Sequence, residues 1–589
     1  MSELVHDGGS NDLGDSSDNN QDAVFQVNNF QPISKLPVEL LRRVFHMNRS
    51  CDQVSISESA ELSNHEDFYK TLGWVAVSWV CQSWRRVALS DSALWRELPL
   101  DFPKWTTVML ERSQNAGFIV EFDPFFCSPR GKDIILPAIF ANASRVAELM
   151  LSSDGPKDML KLLAHFSSTP KLSALRLSTG MWGPLPSIDL PNNAFHNTVG
   201  LRSLNLEGLN ISWDSHLFSN PLHTIIIALA SDSNSAQPTI VKFRSIFKAL
   251  SSTLKVLNLC RALPIPNRVN QNTDPALLGS APIPLPLLES VELEAGPRQL
   301  LSFFSNISPG AQMQVLRITT ACDLLSRPTF LSFIKALYGH PFLAQFLATA
   351  QYLRLGTLSR GLNFVASKPS YSMHQSSASG ASAKNPMSYF TLDVSPHPAT
   401  GSQEADIAPS IIEDVLHEFR WMNLRELEIN LDFGNITSPR LDSVLRSTLA
   451  TLTTMQTLTL SSAMTTRRIV KILWAGSGAT LANTTSTTAI PLPGLKEVIV
   501  EHSRFGHSDR RVAKITHLRR AVRDRFRLGI PIVKVSLIGS KGLDEKGVRS
   551  LRKYVNDVHW DEYEETDFET DDYEDTDESE EEDDKVENE

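Results

Sequence analysis

KLSALRL (residues 171–177) and GLRSLNL (residues 200–206) set Leu172, Leu175 and Leu177, then Leu201, Leu204 and Leu206, in one pattern, apolar-x-x-apolar-x-apolar. The last two apolar residues of each triplet alternate with a polar one, the period of a strand with one buried face. The first lies three residues earlier, where a turn entering the strand can bury it. Neither segment can cover its own apolar side, so a similar segment has to lie alongside.

The chain supplies many. RVAELML (Val146, Leu149, Leu151) precedes the pair, and PLHTIII (Leu222, Ile225, Ile227), TLKVLNL (Leu254, Leu257, Leu259), LLESVEL (Leu288, Val291, Leu293), QMQVLRI (Met313, Leu316, Ile318) and TAQYLRL (Ala350, Leu353, Leu355) follow. NLRELEI, TMQTLTL, GLKEVIV and PIVKVSL continue the series from Leu424 to Leu537. First positions are 21 to 40 residues apart, except for a gap of 74 between Ala350 and Leu424, which the weaker match PMSYFTL (Met387, Phe390, Leu392) halves. Such spacing predicts stacked strand units joined by helices, FRSIFKALSS and RLDSVLRSTLATL among them. Each buried aliphatic contributes roughly 1.5–3 kcal/mol, and neighbours stabilise one another. The motif resembles degenerate leucine-rich repeats, which implies a solenoid over 143–560, its polar inter-strand positions Ser173, Arg176, Arg202, Asn205, Lys255 and Asn258 facing a protein target.

Outside this array the composition changes. Residues 1–32 are rich in Asp, Asn, Ser and Gly and are expected to be disordered, as is the tail 561–589, which holds 19 carboxylates against Lys585. Subtracting the tail's −18 from the net −11 leaves about +7 for the rest of the chain. The Ser-, Ala-, Gly- and Pro-rich stretch 366–410 reads as a mobile insertion, and 99–142 as a connecting helix, FPKWTTVMLERSQ, and a first strand, FIVEF.

Order is predicted to begin at SKLPVELLRRVF (residues 34–45), where Pro37 suits a first helical turn and Leu40, Leu41, Val44 and Phe45 make an apolar stripe. Helical periodicity returns in LGWVAVSWVCQSWRRVALSDSALWREL. The Leu-Pro start, the Val-Cys-x-x-Trp-Arg helix and the closing Leu-Trp, over residues 33–98, resemble an F-box. The interval between Phe45 and Val80 is about twenty residues longer than in a compact F-box, as in the expanded F-box-like families of mushroom-forming fungi. That resemblance implies docking to the Skp adaptor and cullin core of SCF-type ubiquitin ligases through Leu36, Pro37, Leu40, Val44, Val80, Trp84 and Trp95. The whole chain then reads as α/β: a small helical F-box-like domain, an irregular leucine-rich-repeat solenoid and two disordered ends.

SDRRVAKITHLRRAVRDRFRLG (residues 508–529) is the strongest basic feature, with an apolar stripe of Val512, Ile515, Leu518, Val522 and Phe526. It reads first as a helix of the last repeat, capped by Ser508 and stopped by Gly529. A rival reading makes the chain a stand-alone scaffold or a nuclear nucleic-acid-associated protein that uses this helix and the acidic tail.

Chemistry is thinly signalled. No phosphate-loop, dinucleotide-binding, zincin or nucleophile-elbow motif is present in the sequence. Cys51, Cys81, Cys127, Cys260 and Cys322 have no metal-like or disulfide-like spacing, and His502 and His507 have no third ligand beside them. Cys81 is expected on the buried side of its helix. A binding protein without enzyme activity, cofactor or metal is expected, in the cytoplasm or nucleus, with no membrane partner.

Overall fold

The computed structural model describes residues 36–52, 72–123, 129–153, 155–179, 188–229, 237–265, 281–322, 326–358, 361–368, 389–396, 404–419, 421–431, 439–475, 490–506 and 513–561. The expected disordered N-terminus and the tail beyond Asp561 lie outside the described residues. The chain is mixed α/β with mostly parallel strands, and its contacts divide it into two units, the first ending at Ile265 and the second beginning at Pro266.

In the first unit, β1 (Phe118–Phe122), β2 (Val146–Ser153), β3 (Ala174–Thr179), β4 (Ser203–Glu207), β5 (Thr224–Ala228) and β6 (Val256–Cys260) pair in chain order, all parallel. In the register Phe122, Leu151, Leu177, Leu206, Ile227 and Leu259 form one row across six strands. All six are buried. The turn-entry residues Leu172, Leu201, Leu222 and Leu254 are buried completely, as the three-residue offset requires.

The second unit departs from a plain succession. The strands of its main ladder are β7 (Ser290–Glu294), β8 (Val315–Cys322), β9 (Tyr352–Leu358), β10 (Gly361–Ser367), β11 (Tyr389–Pro396), β12 (Glu426–Asn430), β13 (Thr457–Leu460), β14 (Glu497–Glu501), β15 (Lys534–Ile538) and β16 (Asp557–Trp560). They lie in the order β7-β8-β11-β10-β9-β12-β13-β14-β15-β16. β10 runs antiparallel to both neighbours, so β9, β10 and β11 are a meander set into the ladder in reverse. β11 and the first part of the Glu404–Glu418 helix, 404–410, fall inside the stretch 366–410, whose composition suggests a mobile insertion. Alternating apolar residues in YFTLDV bury Phe390, Leu392 and Val394 and outweigh the Ser-rich flanks. One row runs through all ten strands: Leu293, Ile318, Leu392, Phe364, Leu355, Ile429, Leu460, Val500, Leu537 and Trp560.

Helices in this unit pack in series, Pro297–Asn306 on Arg327–Tyr338, then Glu404–Glu418, Pro439–Thr451, Ala463–Ala475, Ile515–Arg527 and Glu545–Leu551. A bidentate ion pair from Arg327 to Asp414, at 2.9 and 2.8 Å, ties the second to the third. Paired this way, the Arg327 guanidinium titrates above its ordinary value.

Candidate docking surface

Among the described residues five helical pieces precede β1, and the first three pack together. The Val38–Asp52 helix packs on a 3-10 segment, Gly73–Trp79, and on the Gln82–Ser90 helix. Pro37 donates nothing and instead accepts, its carbonyl taking the N–H groups of Leu40 and Leu41 at 3.0 and 3.1 Å. One stripe of the first helix, Leu41, Phe45 and Arg49, faces inward. The Phe45 ring meets Trp84, centroids 5.2 Å apart, and the Arg49 guanidinium lies over Trp74 at 5.3 Å. Arg49 also donates to the carbonyl of Leu94 and pairs with Glu97 at 2.7 Å. Burial lowers its pKa, and Glu97 offsets part of that effect.

A second stripe lies about 100° round the same helix. Leu40, Val44 and Met47 follow each other at spacings of four and three, and are 47%, 44% and 59% exposed. Trp79, the last residue of the 3-10 segment, and Val80 after it are exposed still further, at 64% and 61%. Covering these side chains is favourable, since Leu, Val, Met and Trp gain by leaving water. An apolar set of this kind on a small domain is a candidate interaction surface. Met47 and Trp79 escaped the sequence reading, although Met47 continues the spacing of Leu40 and Val44.

Of the seven residues expected to dock the Skp adaptor, Pro37, Leu40, Val44 and Val80 are exposed, Leu36 and Trp84 are half-buried, and Trp95 is fully buried. Trp95 is corrected to a core residue. Its ring meets Trp74 at 5.1 Å and carries the Arg112 guanidinium at 4.4 Å, while Nε1 donates to the carbonyl of Ala88 at 2.9 Å. A side chain with its polar and apolar needs both met inside has nothing to offer a partner. Cys81 is likewise not a packing thiol. It caps the Gln82–Ser90 helix, its Sγ accepting the N–H of Trp84 at 3.5 Å.

The helical region is tied to the first ladder. Ile119 of β1 donates its N–H to the carbonyl of Arg96 and accepts that of Leu98, and Arg96 Nε donates to the carbonyl of Gly117 at 2.7 Å. The start of the β1 edge is thereby covered.

The six polar positions expected to face a target fall into two rows. Arg176, Asn205 and Asn258 share a register row with Met150 and Ile226, on the face opposite Leu175 and Leu177. Ser173, Arg202 and Lys255 line the strand entrances, each backbone N–H in that line reaching the carbonyl one strand back. Arg176 pairs with Glu207 at 3.5 Å, and Arg202 donates to the carbonyl of Pro221 at 3.2 Å. Asn205 is 9% exposed, its Nδ2 donating to Glu207 at 3.1 Å. The row is therefore continuous, but Asn205 is a sheet-face hydrogen-bonding residue rather than a projecting contact.

A shallow cleft in the first unit is lined by His196, Asn197, Thr198, Val199, His216, Ser219 and Asn220, with the two imidazole centroids 5.4 Å apart. Among the described residues no three His, Cys, Asp or Glu side chains are placed to hold a metal ion, and no helix is long and apolar enough to cross a membrane. His507 and Ser508 lie outside the described residues.

No protein-family model and no curated protein matches this chain.

Proposed function

We propose that the chain is a substrate-recognition adaptor of an SCF-type ubiquitin ligase, built from an F-box-like helical domain and an irregular leucine-rich-repeat solenoid. The observation that carries this reading is the division of labour on the Val38–Asp52 helix. Leu41 and Phe45 satisfy the domain's own core, whereas Leu40 and Val44, together with Trp79 and Val80, are exposed and available to a partner. A helix with two apolar stripes, one internal and one exposed, suits groove recognition by a helical adaptor. In this reading the Skp adaptor holds the N-terminal domain and through it the cullin core. The polar sheet face with Arg176 and Asn258 receives a protein target. Raising the target's effective concentration at the ligase is the mechanism, and no chemistry in this chain is called for.

Co-expression with a Skp adaptor tests it. Wild-type chain should capture the adaptor stoichiometrically, and a Val44→Glu, Val80→Glu variant should bind at least tenfold more weakly, since placing two carboxylates in an apolar contact costs well over about 1.4 kcal/mol. Both positions are exposed, so circular dichroism of the free variant should match wild type. Absence of capture by the folded wild-type chain would sink the proposal and leave a domain that only covers β1.

A further inference from the structure

The two basic helices of the second unit meet around one aromatic ring. Ala463–Ala475 packs on Ile515–Arg527, and Trp474 of the first stacks on His517 of the second, centroids 5.8 Å apart and planes 11° off parallel. The Arg520 guanidinium lies over the same ring at 5.4 Å. Arg467 and Lys471, one helical turn apart, and Lys514, at the start of the second helix, complete the cluster.

This cluster is short of anions. Asp442, the carboxylate whose field reaches Lys471, is held by Arg468 at 2.9 Å. Among the described residues Arg467, Lys471, Lys514 and Arg520 have no ion-pair partner within 4 Å, and His517 Nδ1 is buried without a hydrogen bond. The like charges register on one another. Burial first, and then Lys471, Lys514, Arg520 and Arg467, hold the His517 imidazole below its ordinary pKa, and Lys471 is lowered by burial and then by Arg467. Five cationic or protonatable groups gathered on an aromatic face form a site for an extended polyanion.

We infer that this cluster is the docking surface for the chain's own acidic tail, residues 562–589. Charge complementarity is one ground: the tail sets 18 carboxylates against Lys585. Reach is the other. The tail leaves from β16, which packs on Glu545–Leu551, which in turn packs on Ile515–Arg527. Two such steps amount to roughly 20 Å at ordinary element spacings, whereas 28 residues span about 90 Å when extended and about 30 Å as a coil. A segment tethered at that range acts at an effective concentration of about millimolar. An external polyanion such as nucleic acid has to displace it and meet the same negative field, so the tethered occupant is favoured.

Zero-length carbodiimide coupling on the full chain tests this, because it joins a carboxylate only to an amine in contact with it. At low salt, monomeric protein should yield couplings from tail carboxylates to Lys471 and Lys514, falling at least tenfold at 1 M salt, where the screening length is about 3 Å. An Arg467→Glu, Arg520→Glu variant keeps both lysines and should lose the couplings, with an unchanged melting curve showing that it still folds. Couplings confined to Lys546 and Lys553, close to the root of the tail, would overturn the inference. So would binding of a DNA duplex by the full chain at micromolar affinity that this variant loses, since the cluster would then be open to nucleic acid.

Discussion

Leu40 and Leu41 are neighbours of one residue type on one helix, yet the first is largely exposed and the second is core. Side chains one position apart point about 100° apart, so the helix gives each stripe a separate task. Truncation separates the tasks. Phe45→Ala should lower unfolding free energy by about 3–5 kcal/mol in urea titration, whereas Leu40→Ala should stay within about 0.5 kcal/mol. Equal losses at the two positions would mean that Leu40 is packed in solution. Periodicity located both residues, because an apolar stripe is visible in the spacing. Which half of a broad stripe is covered depends on the elements that arrive from elsewhere in the chain, and the sequence does not display that. Trp95 illustrates the same limit in reverse: a tryptophan whose place in the sequence suits a docking role packs against Trp74 and carries Arg112 over its ring. His340 adds a pH dependence. Its Nε2 lies 2.9 Å from the carbonyl of Phe304, so that nitrogen carries the proton of the neutral ring. Burial holds its pKa below the ordinary histidine value, the backbone bond opposing only in part. The unfolded chain therefore binds this proton more readily than the folded one. Stability should fall as pH drops below about 6.5, and His340→Asn should flatten that fall in urea midpoints compared at pH 7.5 and 5.5.

Elements end where local geometry stops them, and two glycines make that measurable. After the basic helix, Gly529 has φ +75° and closes a Schellman turn, its N–H bonding the carbonyl of Phe526 and that of Ile530 the carbonyl of Arg525. Gly542 has φ +70° in the turn after β15, but an added Cβ there would meet the carbonyl oxygen of Phe505. Gly529→Ala carries only the left-handed cost, about 1–2 kcal/mol, since nothing lies within 4 Å of its added carbon. Gly542→Ala bears that cost and a backbone clash, so its thermal midpoint should drop clearly further; equal shifts would show that the turn opens at no cost. The stop at Gly529 was legible from the sequence, whereas the helix start was not, because it begins at Ile515 with Lys514 before it and no side-chain cap. Arg525, one of the arginines that make this helix read as basic, is 1% exposed and donates to the carbonyls of Pro491 and Leu492 at 2.9 and 2.7 Å. Burial pushes it down to about 10. The antiparallel strand β10 was also invisible, because six consecutive buried residues from Leu362 to Ser367 have none of the alternation by which its neighbours were found.

At the scale of the molecule, each strand of the second unit depends on its two neighbours. The long apolar row ends at Trp560 in β16, a strand without one buried residue, while Val500 and Leu537 just inside it are covered completely. In a stacked array, stability is the sum of each unit and its interfaces, so an end unit with one interface opens first. Amide exchange should therefore rise in protection from β16 through β15 and β14 to β12. The first unit should show no such gradient at β1, because the helical domain with Trp95 covers that edge. The tail adds a condition to the prediction. Attached to β16 and drawn towards Lys471 and Lys514, it would hold the last strand against fraying, and 1 M salt should then speed exchange in β16 while leaving β12 unchanged. Exchange in β16 that ignores salt would leave the terminal strand to its own weak packing and argue that the tail does not dock on the basic helices.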